Sequence, residues 1–409
     1  GYSVFFKILF IIGILSTVIF AADYVEQTMR HKGEFYLLLL SALLGMCVLS
    51  SANDLMTAFV GLELMTISFY ALVALRTDAP LSAEAGIKYL VFGSGSTAVL
   101  LYGMSLVYGM TGTMVFQDIA QGLGLVFSLG LIGVVFILAG FFFKLSIIPF
   151  HLWAPDVYEG APAPVTALLA MCSKAAGIAI LLRVLFVAFP FLSAYWAHLL
   201  AVFAGVSMVG GNLMAFRQTN IKRMLAYSSI AQAGYMMTAM VATNAAGIKA
   251  VLFYAMVYVF ANVGAFVTVS YLEMKRGGAD FTSVRGLAKD SLLPAGILMV
   301  ALLTMAGIPP TAGFVGKIYI FSAAIDAGYL WLAGVGFVMS MMSVYYYLLV
   351  IKEMFRDVEV GEKWTEEHLH LPLPASAMGV IAVAFSLIIG VWAEPLSIFS
   401  NIAVYTFMR

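Results

Sequence analysis

Twelve long apolar segments follow one another along this sequence, and their length constrains the fold more than any other feature. An α-helix needs about 20 apolar residues to cross the hydrocarbon core of a bilayer. The strands of an outer-membrane barrel are shorter and alternate apolar with polar residues, whereas these segments are continuous. The sequence therefore predicts an all-α polytopic membrane protein with about 12 transmembrane helices. The segments cover residues 3–21, 35–51, 54–75, 81–109, 122–150, 164–188, 195–216, 220–242, 247–274, 290–326, 328–352 and 373–393.

The composition excludes several other classes of protein. Hydrophobic residues make up 63% of the 409 residues and charged residues only 10%, whereas an ordinary soluble domain has about 25% charged residues. Such a chain has too little polar surface for a soluble enzyme or a nucleic-acid binder. Its two cysteines lie inside apolar segments and indicate no disulfide scaffold. The net charge is zero, so the charge balance implies no strongly charged partner.

The lysine and arginine residues in the loops are concentrated on one side of the predicted bundle. The other side carries only Lys7, Arg183, Lys249 and Arg409, at or near segment ends. Because positively charged loops remain in the cytoplasm, this asymmetry predicts that both termini lie outside. It also favours a transmembrane segment over a cleaved signal peptide at residues 7–22. The basic residues on the cytoplasmic side are Arg30, Lys32, Arg76, Arg217, Lys222, Arg223, Lys275, Arg276, Arg285, Lys289, Lys352, Arg356 and Lys363.

Two of the segments contain residues that break helices. Residues 290–326 are too long for one straight span and include Gly, Ile, Pro and Pro at 307–310, and the fifth segment contains Pro149. Two separate spans within 290–326 would move later basic loops to the outside, so one discontinuous helix is favoured. Broken backbone persists in a membrane only where protein or a water-filled cavity covers it. Two discontinuous helices therefore predict a polar interior.

Five ionisable residues lie inside the predicted segments, although a charge at the bilayer centre costs about 2.5–3.5 kcal/mol on insertion scales. Such residues must face the bundle interior, form pairs or contact water. One carboxylate cannot neutralise four lysines, so ion pairing alone does not account for the set. An i,i+4 pair between Glu84 and Lys88 accounts equally well for Lys88. The five residues are Glu63, Lys144, Lys174, Lys317 and Lys88.

The surplus of buried lysines favours a role in proton transfer. Ion pairs that merely hold helices together remain an alternative for any single Lys–Glu pair. A lysine that is removed from water without a counter-charge can exchange its proton near neutral pH. Lys144 and Lys317 also lie close to the two helix breaks, where a water-filled half-channel is expected. The sequence therefore predicts a proton pathway through the bundle.

The positions of Lys144 and Lys317 also predict an inverted repeat. They lie in the fifth and tenth segments, and an offset of five helices places the second copy upside down in the membrane, as in many transporters. Glu63 and Lys174 have no charged counterpart in the second copy. The predicted regions are an N-terminal helix and loop (1–34), a first repeat (35–188), a second repeat (189–356), and a cytoplasmic loop with a C-terminal helix (357–409).

The sequence contains no ligand set for a metal ion or a redox cofactor. His368 and His370 share a polar loop, which is typical of solvated side chains, and His151 lies at a helix break. Two further histidines, His31 and His198, lie near segment ends. Because no motif for haem, flavin or an iron–sulfur cluster is present, any redox chemistry is expected to belong to other chains.

The stretch FKLSIIPFHLWAPDVYEGAPAPVTALLAMCSK at 143–174 resembles the signature of the antiporter-like membrane subunits of respiratory complex I, the proton-pumping NADH:quinone oxidoreductase. Its PDVYEGAPAP segment resembles the N-type branch of that family. The stretches SSANDLMTAFVGLELMTISFYAL, NIKRMLAYSSIAQAGYMM and AGIPPTAGFVGKIYIF are similar to the same branch. The resemblance covers nearly the whole chain.

This resemblance implies a fourteen-helix fold with two inverted five-helix repeats and two discontinuous helices. Since twelve segments are predicted here, two family helices are expected to be absent before Gly1. The resemblance implies that Glu63 interacts with Lys144 in a first half-channel. It further implies that Lys174 is a central relay, that Lys317 serves a second half-channel, and that Lys88 occupies another polar position on the same axis.

The resemblance also implies the cellular setting. The expected partners are other membrane subunits of complex I, lipid and protons, with no nucleic acid. NADH, FMN, iron–sulfur clusters and quinone are expected on partner subunits, and the expected location is the bacterial inner membrane. Quinone reduction elsewhere would change the interaction between Glu63 and Lys144 and drive protons through Lys174 toward Lys317. A subunit of a multi-subunit Na⁺/H⁺ antiporter is the alternative.

Overall fold

The computed structural model describes residues 1–122, 127–357 and 370–408. Lys363, His368 and Arg409, which enter the sequence analysis, lie outside these ranges. The described chain is almost entirely helical, as the apolar segments predict. Its helices are α1 (Tyr2–Thr28), α2 (Lys32–Ser51), α3 (Leu55–Val73), α4 (Pro80–Thr111), α5 (Phe116–Gly122), α6 (Phe127–Leu145), α7 (Trp153–Gly160), α8 (Ala163–Leu168), α9 (Lys174–Arg183), α10 (Ser193–Ala215), α11 (Ile221–Met240), α12 (Ala245–Arg276), α13 (Leu287–Asp290), α14 (Leu292–Ala306), α15 (Ala312–Asp326), α16 (Leu330–Phe355), α17 (Leu373–Val391) and α18 (Glu394–Phe407).

Each of the twelve predicted segments coincides with a helix or with the halves of a broken helix. Nine helices in the described ranges are at least 18 residues long and apolar enough to cross a membrane. The other three segments correspond to α6, to α11, and to α14 followed by α15. The helix α11 is long enough to span but is less apolar, because it carries Lys222, Arg223, Ser228, Ser229 and Gln232.

Both predicted helix breaks are present. The helix α14 ends at Gly307, whose φ of 82° lies in the left-handed region that favours glycine, and α15 begins after Pro309 and Pro310. The first break starts earlier than predicted, because α6 ends at Leu145, four residues before Pro149, and the chain then turns into the short α7. The sequence analysis also missed α18, which follows the last predicted segment.

The centre of the bundle is formed by two long helices that are buried on every side. One of them is a continuous helix, Ala163–Ala188, in which a π-helical turn at Leu169–Ser173 joins α8 to α9. The other is α12, which packs against α1, α11, α14, α15 and α17. By contrast, α4 and α17 expose broad apolar faces, as expected of helices at the periphery of a membrane bundle. Polar side chains on the central helices are therefore shielded from lipid.

Helix pairs in the two halves pack in matching ways. The helix α2 lies along α3 as α10 lies along α11, and α4 packs along α6 as α12 packs along α14 and α15. This correspondence between the two halves is compatible with an inverted repeat of five helices. The boundaries of the two repeats, 35–188 and 189–356, stay a prediction.

Two glycines allow the backbones of α2 and α3 to touch. A β-carbon on Gly61 would lie 2.6 Å from the backbone nitrogen of Leu49, and one on Gly45 would lie 2.5 Å from that of Met65. Small residues at such crossings permit close packing of transmembrane helices. The crossing holds α3, the helix that carries Glu63, directly against α2.

Replacing Gly61 by alanine is expected to force α2 and α3 apart and to lower the melting temperature of the purified protein. Overpacking of this kind costs roughly 1–3 kcal/mol. The matched control is Gly33→Ala in α2, because a β-carbon there meets no atom within 4 Å. Equal melting temperatures for both variants and the unmodified protein would contradict the close crossing.

Candidate functional site

Lys144 lies in the last turn of α6 and is buried between α3 and α4. Its Nζ donates hydrogen bonds to Thr66 Oγ1 (3.1 Å) and Tyr89 Oη (3.1 Å). The same atom lies 5.6 Å from the centre of the Phe69 ring, a cation–π distance. Tyr89 in turn stacks on Trp153, with 4.5 Å between ring centres. Neutral hydroxyls and aromatic faces therefore surround this amine.

Glu63 faces the same region from α3. Its Oε1 accepts a hydrogen bond of 2.8 Å from Thr97 Oγ1 in α4. Glu63, Lys144 and Tyr70 line one small cleft between α3, α4 and α6. The Tyr70 hydroxyl is buried and has no hydrogen-bond partner among the described residues. The structure thus brings Glu63 and Lys144 into one cleft, and within the described chain it does so without a direct ion pair.

Lys174 is the first residue of α9, directly after the π-helical turn. Its Nζ donates to both the carbonyl oxygen (2.7 Å) and Oγ (2.8 Å) of Ser229 in α11. Single π-helical turns inside α-helices occur frequently at functional sites. The turn places Lys174 against Ser229, near the middle of α11.

Lys317 projects from α15 back toward the end of α14. Its Nζ donates to the carbonyl oxygens of Met305 (3.0 Å) and Ala306 (2.8 Å) and to Ser340 Oγ (2.8 Å). These two carbonyl groups lack helical partners because α14 ends there. The Nζ atom also lies 4.8 Å from the centre of the Tyr235 ring. The helix break thus supplies the acceptors for the lysine that follows it.

The three lysines share one property. The exposed fraction is 3% for Lys144, 1% for Lys174 and 4% for Lys317. Within the described ranges, no carboxylate oxygen lies within the 4.0 Å ion-pair distance of any of their Nζ atoms. Each amine is instead held by neutral hydroxyl or carbonyl oxygens. An amine in such a setting keeps hydrogen-bond acceptors in both its charged and its neutral form.

Lys88 is placed differently. Its side chain is 37% exposed, near the start of α4, where Nζ pairs with Glu84 Oε1 (2.7 Å) and Asp156 Oδ2 (2.6 Å). Arg223 also contacts Asp156, so Lys88 belongs to an ion-pair cluster at one end of the bundle. The structure supports the simpler interpretation of Lys88, the i,i+4 pair with Glu84.

Replacing Lys88 by glutamine is expected to lower the free energy of unfolding by no more than about 1 kcal/mol, because exposed ion pairs contribute little to stability. The measurement is the melting temperature of the purified protein. A decrease larger than that of the Gly61→Ala variant would contradict this peripheral role.

The polar partners of the lysines are residues that the sequence analysis did not single out. They lie in otherwise apolar helices, where a single hydroxyl or amide group gives no clear signal in the sequence. Among residues 1–122, 127–357 and 370–408, no three His, Cys, Asp or Glu side chains are grouped so that they could hold a metal ion. The missed side-chain partners of the lysines are Thr66, Tyr89, Ser229 and Ser340. Two further polar residues were missed: Thr97, which donates to Glu63, and Gln232, which donates to the Met305 carbonyl oxygen.

The fold and the buried lysines define a polytopic membrane protein of the antiporter-like class. The sequence profile of a family described as "NADH:quinone oxidoreductase/Mrp antiporter, TM" matches residues 52–343. The solved Mrp complex from Dietzia sp. contains a chain with a TM-score of 0.89 and 21% identity, covering 99% of this chain and 83% of that one. At this identity the likeness concerns the fold alone.

More specific similarity comes from sequence relatives. The NADH-quinone oxidoreductase subunit N of Heliobacterium modesticaldum is 49% identical, over 98% of this chain and 84% of the relative. That of Desulfitobacterium hafniense is 47% identical, over 97% and 83%. A chain of respiratory complex I from Thermus thermophilus has 36% identity and a TM-score of 0.83, covering 97% and 85%. The protein described here belongs to the family of NADH-quinone oxidoreductase N subunits.

Proposed function

We propose that this chain is a proton-translocating membrane subunit of an NADH:quinone oxidoreductase. The observation that carries the proposal is the set of three lysines that are buried yet held only by neutral oxygens within the described chain. Intramembrane ionisable residues usually mark ion pathways and proton relays. The identity of the parent complex is inferred from the names of the relatives at 47–49% identity.

In the first half, Glu63 and Lys144 would act as a switch. The negative charge of Glu63 favours the ammonium form of a nearby lysine, and its loss or withdrawal favours release of the proton. Because hydroxyl groups, rather than the carboxylate, contact Lys144, the two residues can change their separation without breaking a direct ion pair. Quinone reduction elsewhere in the complex would drive this change.

Beyond Lys144, the proton would pass to Lys174 and then to Lys317. Lys174 lies in the buried helix at the centre of the bundle. Lys317 lies at the second helix break, where irregular backbone can line water. With these roles, the three buried amines would form a proton path that continues through the second half of the chain.

Partner chains would supply everything that the redox reaction requires. We propose that NADH, FMN, iron–sulfur clusters and quinone are bound by other subunits, and that this chain packs against neighbouring membrane subunits of the complex. The expected location is the bacterial inner membrane, with both termini on the periplasmic side, as the distribution of Lys and Arg indicates.

The test is purification of the tagged chain from its native membranes by gentle solubilisation. The purified assembly is expected to show inhibitor-sensitive, NADH-dependent quinone reduction. Co-purification with antiporter subunits and no oxidoreductase activity would support the alternative, a Na⁺/H⁺ antiporter subunit. The fold shared with the Mrp complex is compatible with that alternative, whereas the sequence relatives favour the oxidoreductase.

A further inference from the structure

Lys174 and Lys317 both approach the helix α11, one turn apart. Lys174 is bonded to Ser229, and Lys317 shares a bonding partner with Gln232, three residues further along the same helix. Side chains three residues apart on a helix lie on one face, with about 5–6 Å between their β-carbons. Ser229 and Gln232 therefore connect the two lysine sites along this face of α11.

Gln232 lies on this face of α11, and hydrogen bonds hold both the nitrogen and the oxygen of its side-chain amide. Its Nε2 donates a hydrogen bond of 3.0 Å to the carbonyl oxygen of Met305, which also accepts from Lys317 Nζ at 3.0 Å. Its Oε1 accepts a hydrogen bond of 2.5 Å from Tyr254 Oη. The side chain is buried, with 1% of its surface exposed. Both its orientation and its contact with the Lys317 site are thus fixed.

An amide in this position cannot relay a proton as a hydroxyl or water can. Its nitrogen donates and its oxygen accepts, but neither changes protonation near neutral pH. A proton moving from the ammonium of Lys174 to the neutral amine of Lys317 must therefore bypass Gln232 through water. The Gln232 side chain is buried and occupies the position from which a water could donate to the Met305 carbonyl oxygen beside Lys317.

We propose that Gln232 is a positioning residue that insulates Lys317 from Lys174 until its amide moves. While Gln232 is bonded to Met305, the two lysines are separated and no proton passes. When the amide leaves the carbonyl, water fills the space, Lys174 gives up a proton and becomes a neutral amine, and Lys317 takes up a proton and becomes an ammonium. This inference rests on the proposed function and adds the residue that prevents back-flow.

The test is passive proton leak in liposomes that contain the whole purified complex. A potassium diffusion potential drives protons inward without NADH, and an internal pH dye records the rate. Gln232→Ala removes a volume of roughly 60 Å³, enough for about two waters at ~30 Å³ each, and is expected to raise the leak severalfold. Gln232→Met has no amide but keeps most of the side-chain volume, so its leak is expected to stay well below that of the alanine variant.

Two further variants identify the route of the leak. Thr238→Ala, on the same buried helix, is the matched control and is expected to leave the leak unchanged, since its hydroxyl bonds only Gly234 and Met208 within the described chain. The double variant Gln232→Ala with Lys317→Ala is expected to lose the extra leak. Assembly is checked by electron transfer from NADH to an artificial acceptor.

Three outcomes would overturn the insulating role. They are an unchanged leak in assembled Gln232→Ala, an equal leak in the alanine and methionine variants, and an extra leak that persists without Lys317. None of these bears on the proposed function, which fails separately if the lysine variants pump protons normally or if no oxidoreductase activity co-purifies with the chain.

Discussion

Replacement of Lys144 by alanine is expected to reduce NADH-driven proton pumping and quinone reduction together, by about tenfold or more, the scale on which loss of a proton-transferring group acts. The variant removes the only amine in the cleft shared with Glu63, among the residues that line it. Thr66 and Tyr89 would then donate to or accept from water instead of the lysine. Turnover falls with pumping because the redox reaction is coupled to the charge movement.

The measurement uses the purified complex in liposomes, with NADH oxidation followed by absorbance and acidification by a dye. Lys275→Ala is the matched control, because Lys275 is an exposed lysine near the end of α12, and it is expected to change neither rate. Coupled pumping at the unmodified rate in the Lys144 variant would remove this residue from the pathway.

The second large effect is expected at Glu273, near the end of α12, and concerns stability. Its carboxylate accepts a hydrogen bond of 2.5 Å from Tyr24 Oη, and its Oε2 lies 2.6 Å from Lys222 Nζ. The exposed fractions are 10% for the Glu273 side chain and 6% for that of Lys222. Arg76 Nη1 lies 3.4 Å from the other carboxylate oxygen. One carboxylate thus contacts two cations and a hydroxyl from three other parts of the chain.

Glu273→Ala is expected to lower the free energy of unfolding by about 3–5 kcal/mol, because removing one partner of a buried pair leaves the other charge uncompensated. The measurement is the melting temperature of the purified complex in detergent. The matched control is Glu26→Ala, since Glu26 pairs with Lys32 at an exposed position and such pairs contribute little. A Glu273 variant that melts with the control would show that the pair contributes little.

The sequence predicted the helices and breaks because both follow from local properties. Long apolar segments must become helices in a bilayer. The Gly-Ile-Pro-Pro sequence at 307–310 ends a helix because Gly307 takes the left-handed conformation and the two prolines have no backbone N–H to continue the helix. The start of the first break was less accurate, since α6 ends at Leu145 before any proline is reached. The helix α18 was missed because its 14 residues, Glu394–Phe407, are too short for a span.

The candidate site was predictable only in part. The cost of a charge in lipid identifies Lys144, Lys174 and Lys317 from the sequence, and the structure places all three in the interior. Their partners could not be predicted, because uncharged polar residues occur in many of the apolar segments and follow no fixed periodicity. Ser229 and Gln232 can be assigned to the site only when the helices that pack against α11 are known, because their contacts are tertiary.

The two broken helices also decide which sign of charge each break can hold. Lys144 lies in the last turn of α6, and Lys317 is bonded to the last carbonyl groups of α14, so both amines sit where a helix presents partial negative charge. A carboxylate at Lys317 would face the carbonyl oxygens of Met305 and Ala306, which cannot donate a hydrogen bond, and only the Ser340 hydroxyl could donate to it. The carbonyl groups at the end of a helix thus favour a cation at each break. An anion would be favoured there only if the chain ran in the opposite direction, so that the start of a helix presented its free N–H groups.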